Sequence, residues 1–138
     1  MKKAVISKEV ALKELEQLIN RFVKKPVSND KLEETYPDIL DAIMDGYLSF
    51  DGTGIPVLKL KDPIKLEDGS VLHSEINFRT RIKPLTLANI AKGLNPQTEV
   101  FMLQLKMTSF IIDKDVEMLD NFSRYDWDVI QQLATVFS

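Results

Sequence analysis

The apolar positions of this chain change period twice. Leu15, Leu18, Ile19 and Phe22 recur at helical spacing, behind Ser7 as a cap and ahead of Pro26. That pattern predicts a helix over about residues 8–24. "SNDKLEETYPDILDAIMDGYL" offers a second cap at Ser28 or Asn29 and an interruption at Pro37. Proline is comfortable in a first turn, so a fresh helix is expected over residues 37–45. It would bury Ile39, Leu40, Ile43 and Met44 and end at Gly46. From Tyr47 the pattern becomes strand-like: "YLSF" reads as a short strand and "DGTG" as a turn.

The next stretch, "VLKLKDPIKLEDGSVLHSEINFR", alternates, turns at Asp68–Gly69 and alternates again. Leu58, Leu60, Ile64, Leu72, Ile76 and Phe78 fall on one face if the loop has three residues, Glu67–Asp68–Gly69, with Gly69 in the left-handed position. That register sets Leu60 opposite Ile76, Ile64 opposite Leu72 and Lys61 opposite Glu75. Pro63 cannot donate to a ladder and is expected at an edge or bulge. A short helix follows Lys83–Pro84 and stops at Gly93 or Pro96. A helix from about Pro96 to Ile112 is apolar around most of its girth. Ser123 and Asp126 resemble a capping box, and Trp127, Ile130, Leu133, Ala134 and Phe137 then form one stripe of a C-terminal helix. The expected fold is α+β: a small antiparallel sheet, its hairpin at about 57–79, flanked by N-terminal and C-terminal helices.

Length changes this picture little: 138 residues suit a single domain. The charge of −3 is uneven, with a weakly basic middle between acidic flanks, which is no nucleic-acid footprint. With no cysteine, disulfides and thiolate metal sites are excluded. No apolar run suits a bilayer, and "MKKAVISKEV" lacks the apolar core of a secretory signal, so a cytoplasmic protein is expected.

Candidate chemistry is sparse. The only histidine, His73, falls among outward-facing ribbon residues and reads as a solvated side chain. "DKDVEMLDNFSR" has Asp113, Asp115 and Glu117 at calcium-loop positions 1, 3 and 5. It carries Met118 where glycine is needed and Arg124 where glutamate is needed, so the match fails. Asp113 and Asp115 are better read as charging the start of a short helix. "DGTG" lacks the Gly-Lys-Ser/Thr of a phosphate loop. Asp38, Asp41 and Asp45 read as a solvated helix face, and Arg79, Arg81 and Lys83 as a solvated basic loop. Nothing assembles a nucleophile, a base and an orienting group, so no enzyme, cofactor or metal is expected. The unusual feature is the apolar segment 100–112. Either it is the central core helix, or part of it is exposed to receive a partner; Met102 and Met107 suit an adaptable surface.

The order "VLKLKDPI", an Asp-Gly turn, "VLHSEINFR", an apolar helix ending "MTSFIIDKDVEML" and then "YDWDVIQQLATVF" resembles the small tail assembly chaperones of contractile-tailed, Mu-like bacteriophages. The resemblance covers about residues 57–138 and leaves residues 1–56 as a helical N-terminal extension ending in a short strand. It implies a chaperone in the bacterial host cytoplasm that binds the long helical tape measure protein and keeps it soluble during tail morphogenesis. It implies neither catalysis, nucleic acid nor membrane as partner, and leaves a homo-oligomer open. No binding motif carries over from the family. Side-chain chemistry alone selects Phe101, Met102, Leu105, Met107, Phe110, Trp127 and Phe137 as the client surface or its support. The alternatives are a structural tail or baseplate component, or a generic protein-interaction domain.

Overall fold

A computed structural model describes residues 6–95 and 97–138. Helix α1 spans Lys8–Phe22, and Ser7 caps it by accepting the N–H of Val10. A 3₁₀ turn at Asn29–Lys31 runs into the short α2 (Leu32–Thr35), and α3 spans Pro37–Met44 with proline in its first turn. Strands β1 (Leu48–Phe50), β2 (Pro56–Lys65) and β3 (Val71–Asn77) form an antiparallel sheet in that order. Helices α4 (Pro84–Ala91), α5 (Val100–Ile112) and α6 (Arg124–Phe137) follow, with a 3₁₀ segment at Val116–Asn121 between the last two. The fold is α+β, with helices before and after the sheet.

One hydrophobic cluster joins these elements. Ala11, Leu15 and Ile19 of α1, Ile39 and Ile43 of α3, and Leu58 and Ile76 of the ribbon are fully buried with Ile130 and Leu133 of α6. The stripe of α6 is therefore covered by the N-terminal helices as well as by the sheet. Phe137 packs edge-on to Phe22 of α1 at 5.0 Å and against Phe78 at 6.1 Å.

Helix α6 also holds both ends of α3. The α3 cap position is Tyr36, which makes no side-chain capping bond. Instead the backbone N–H groups of Asp38 and Ile39 both donate to Gln132 Oε1 at 3.1 Å, and Gln132 Nε2 returns a bond to Asp38 Oδ2 at 2.9 Å. At the other end the Tyr125 hydroxyl donates to Asp45 Oδ2 at 3.2 Å. Gln132→Ala is expected to cost about 1–1.5 kcal/mol, the usual value of a helix cap, measurable as a lower urea midpoint at unchanged slope.

The ribbon matches the sequence at its tip and departs from it below. Leu66 and Ser70 close a three-residue loop (N···O 2.8 Å), with Gly69 at φ 88°. Lys65 pairs with Val71 as the three-residue loop requires, but Leu58, not Leu60, stands opposite Ile76, and Lys59, not Lys61, opposite Glu75. The ladder shifts between Lys59 and Ile64, around Pro63. The cause lies 65 residues away: the N–H of Lys61 donates to Asp126 Oδ1 at 2.9 Å, and that of Asp62 to Asp126 Oδ2 at 3.0 Å. Successive N–H groups of a regular strand point in opposite directions. One carboxylate can collect two of them only where the strand bulges. A net slip of two residues preserves the alternation, so Leu58 and Leu60 both stay buried. Within that net slip, a one-residue shift of the opposite sense beside Ile64 pairs it with His73 instead of Leu72. Leu72 is consequently 43% exposed and His73 half-buried, the reverse of their expected faces.

Candidate functional site

The segment 100–112 divides along its length. Its last turn is core: Thr108, Ser109, Ile111 and Ile112 are buried. Its first turn is open, with Phe101 73% and Met102 40% exposed. Helix α5 begins at Val100 instead of near Pro96, which lies outside the described residues. Ahead of it Asn95 folds a turn of its own, its Oδ1 accepting the N–H groups of Gln97 and Thr98 while its own N–H donates to Glu99 Oε1. Asn and Asp compete with helix in this way by capturing nearby backbone donors.

The exposed end of α5 borders a groove of about 820 Å³. Phe101, Met102 and Leu105 form one wall, Val116 and Leu119 of the 3₁₀ segment with Phe122 just beyond it the floor, and Trp127 of α6 the far side. The Phe122 and Trp127 rings stack at 6.4 Å and 16°. Four of the seven residues selected from sequence thus meet in one place. The other three lie elsewhere. Met107 faces a separate recess on the α5–α6 seam, beside Gln131 and Ala134. Phe110 is half-buried under the Arg79 guanidinium, 4.2 Å from its ring centre. Phe137 is core at 4% exposure and offers no surface; its stripe is consumed by α1 and the sheet.

Sequence reasoning missed the floor. Val116 and Leu119 share a face of the 3₁₀ helix at its repeat of three, and Phe122 follows at the same interval just past its end. It also missed the rim, where Glu117, Asp120, Arg124 and Asp128 surround the apolar floor. Arg124 Nε lies 3.7 Å from Asp128 Oδ2, so the rim keeps a negative balance.

Acidic groups continue onto α3. Partial burial, and then the carboxylates of Asp45, Asp38 and Glu33, push Asp41 above the usual carboxylate range. Partial burial and Asp128 do the same to Asp38. A carboxyl whose pKa is raised by folding binds its proton more tightly in the native state. Its charge therefore costs stability at neutral pH, a cost relieved as pH falls through the raised value towards 3.8. Asp41→Asn is expected to raise stability at pH 7 by no more than about 0.5 kcal/mol, because the group is exposed. The gain should fade as the pH falls through the raised value and vanish below 3.8, where Asp41 is protonated and neutral like the asparagine. Urea unfolding at pH 7 and below 3.8 checks this, and a loss at pH 7 would contradict mutual repulsion.

The remaining polar features have local explanations. Asp51 accepts from the N–H and hydroxyl of Thr53 and from the N–H of Ile55, which makes "DGTG" a self-bonded turn and holds its carboxyl below the usual range. Asp113 does not open the next helix; it closes α5 in the left-handed conformation (φ 55°) and pairs with Arg79 at 2.9 Å. His73 lines a recess with Lys106, Ser109 and Lys114, and its pKa is lowered by burial and then by the Lys114 charge. Among the described residues no group of three or more His, Asp or Glu could hold a metal ion, and no helix is long and apolar enough to cross a membrane.

The site therefore offers an apolar trough with flexible Met and rigid aromatic walls, framed by carboxylates. No family model, curated protein or solved structure gives a significant match to this chain.

Proposed function

We propose that the protein is a tail assembly chaperone of a contractile-tailed phage or prophage. In this reading it is a holdase of the host cytoplasm that binds the helical tape measure protein and carries out no catalysis. The observation that carries the reading is the groove beneath Phe101 and Met102, where large apolar side chains are left uncovered above a stacked Phe122–Trp127 pair. Contiguous exposed apolar surface rimmed by polar groups marks protein-interaction sites. Met adapts to varied client side chains, while aromatic residues supply rigid anchoring area. The sequence order of strand, Asp-Gly turn, strand, apolar helix and Asp-led terminal helix supports the tail-chaperone assignment within that class.

Co-expression with the tape measure protein of the same phage or prophage tests the reading. The client is expected in the soluble fraction and in complex with this chain, and this chain is expected to be absent from purified particles. A purified chain that neither binds nor solubilises the tape measure protein overturns the proposal. Recovery of the chain from finished particles by mass spectrometry assigns it instead to the tail structure.

A further inference from the structure

The groove carries information about the kind of segment it takes, an inference that rests on the client-binding reading above. Its walls come from α5, the 3₁₀ segment and α6, with Phe122 from the short link between the last two, and none from a strand. It therefore presents side chains and no sheet edge. An extended peptide binding there would leave its backbone N–H and C=O groups without partners, whereas a helix satisfies its own. Small polar ligands are disfavoured as well. Pockets for them combine apolar walls with convergent polar groups, and here the charged groups stand on the rim above an apolar floor.

The rim selects by charge. Glu117, Asp120 and Asp128 face one cation, Arg124, which is already engaged by Asp128. From Asp128 the negative field runs on to Asp38 of α3, whose carboxyl feels that neighbour. We infer that the groove accepts an amphipathic helix whose apolar stripe (i, i+3, i+4, i+7) is flanked by Lys and Arg. The apolar stripe seats between Phe101 and Trp127, and the flanking cations meet the three rim carboxylates. Rim pairs of this kind steer encounter and discriminate between partners more than they add affinity, and they weaken with salt.

Trp127 is the only tryptophan of the chain and lines the groove, so its fluorescence reports occupancy directly. Three synthetic helices of one apolar stripe, with flanking Lys, Gln or Glu and no Trp, are titrated against the full chain at low and high salt. The Lys-flanked helix is expected to bind about tenfold more tightly than the Gln-flanked one at low salt, with the Glu-flanked one weaker still, since three exposed pairs of modest strength sum to about that factor. The difference should shrink at high salt, and Glu117→Lys with Asp120→Lys should reverse the order. Equal affinities for the three helices overturn the charge selection while leaving the holdase reading intact. The same holds if no helix perturbs Trp127 although the tape measure protein is still kept soluble. Tight binding of the Lys-flanked helix that survives Phe101→Asp places the contact on another acidic face and overturns the inference. A dimer in sedimentation that Phe101→Asp converts to monomer overturns it in favour of a second copy as occupant. Failure of both the helices and the tape measure protein to bind sinks the holdase reading itself.

Discussion

Replacement of Asp126 by alanine is expected to cost about 3 kcal/mol of unfolding free energy and to lower the thermal midpoint by about 10 °C. Asp126 is fully buried. Its carboxylate accepts the N–H groups of Lys61 and Asp62 and the hydroxyl of Ser123 at 3.1 Å. Removing it leaves two backbone donors of the bulge without an acceptor. A stranded buried donor costs about 1–3 kcal/mol, more than the net gain of the bond it has lost. Asp126→Asn keeps one acceptor oxygen but turns an NH₂ towards a backbone N–H, so it should recover about a third of the loss. Ser123→Ala, which removes the α6 cap, is the milder comparison at about 1 kcal/mol. Guanidinium unfolding of the three variants orders them; Asp126→Ala within about 0.5 kcal/mol of the parent, the range of ordinary surface changes, would mean that the carboxylate does not hold the bulge.

The second large effect falls on binding. Phe101→Asp is expected to weaken client binding at least about thirtyfold, the loss typical of a central aromatic anchor. Phe101 is 73% exposed, so the thermal midpoint should stay within about 2 °C of the parent, as for ordinary surface substitutions. Leu85 of α4 is 81% exposed and does not line the groove, so Leu85→Asp should leave affinity unchanged. If the two variants lose affinity equally, apolar exposure in general, and not the groove, governs binding. Trp127→Ala is less informative because Trp127 also stacks on Phe122, so its loss would mix packing with recognition.

What could be read from the sequence is what neighbouring residues decide. Ser7, Pro37 and Ser123 mark helix starts because caps and first-turn prolines act within one turn. The three-residue loop was legible because a two-residue Asp68–Gly69 turn would set Lys65 beside Leu72 and break the alternation of the two arms, while Gly69 accepts the positive φ of the longer loop. The ribbon register below the tip was illegible for the opposite reason: it is set by Asp126, which local pattern presents merely as a cap partner of Ser123. Phe137 looked like a surface candidate because an apolar stripe does not announce which element will cover it. The groove was half legible. Phe101, Met102, Leu105 and Trp127 stood out by size and softness, while the floor at Val116, Leu119 and Phe122 needed a three-residue period to be noticed. The acidic rim is split between the 3₁₀ segment and α6 and has no sequence motif.

The remote origin of the bulge also decides which element protects its amides. β1 pairs with β2 no further than Leu58, and Tyr47 accepts the N–H of Lys59, so beyond that point the outer edge of β2 depends on α6 for acceptors. The amides of Lys61 and Asp62 thus take their protection from α6 and not from the hairpin: their hydrogen exchange is expected to speed up when Ser123→Ala loosens the start of α6, while that of Lys59, bonded to Tyr47, stays slow.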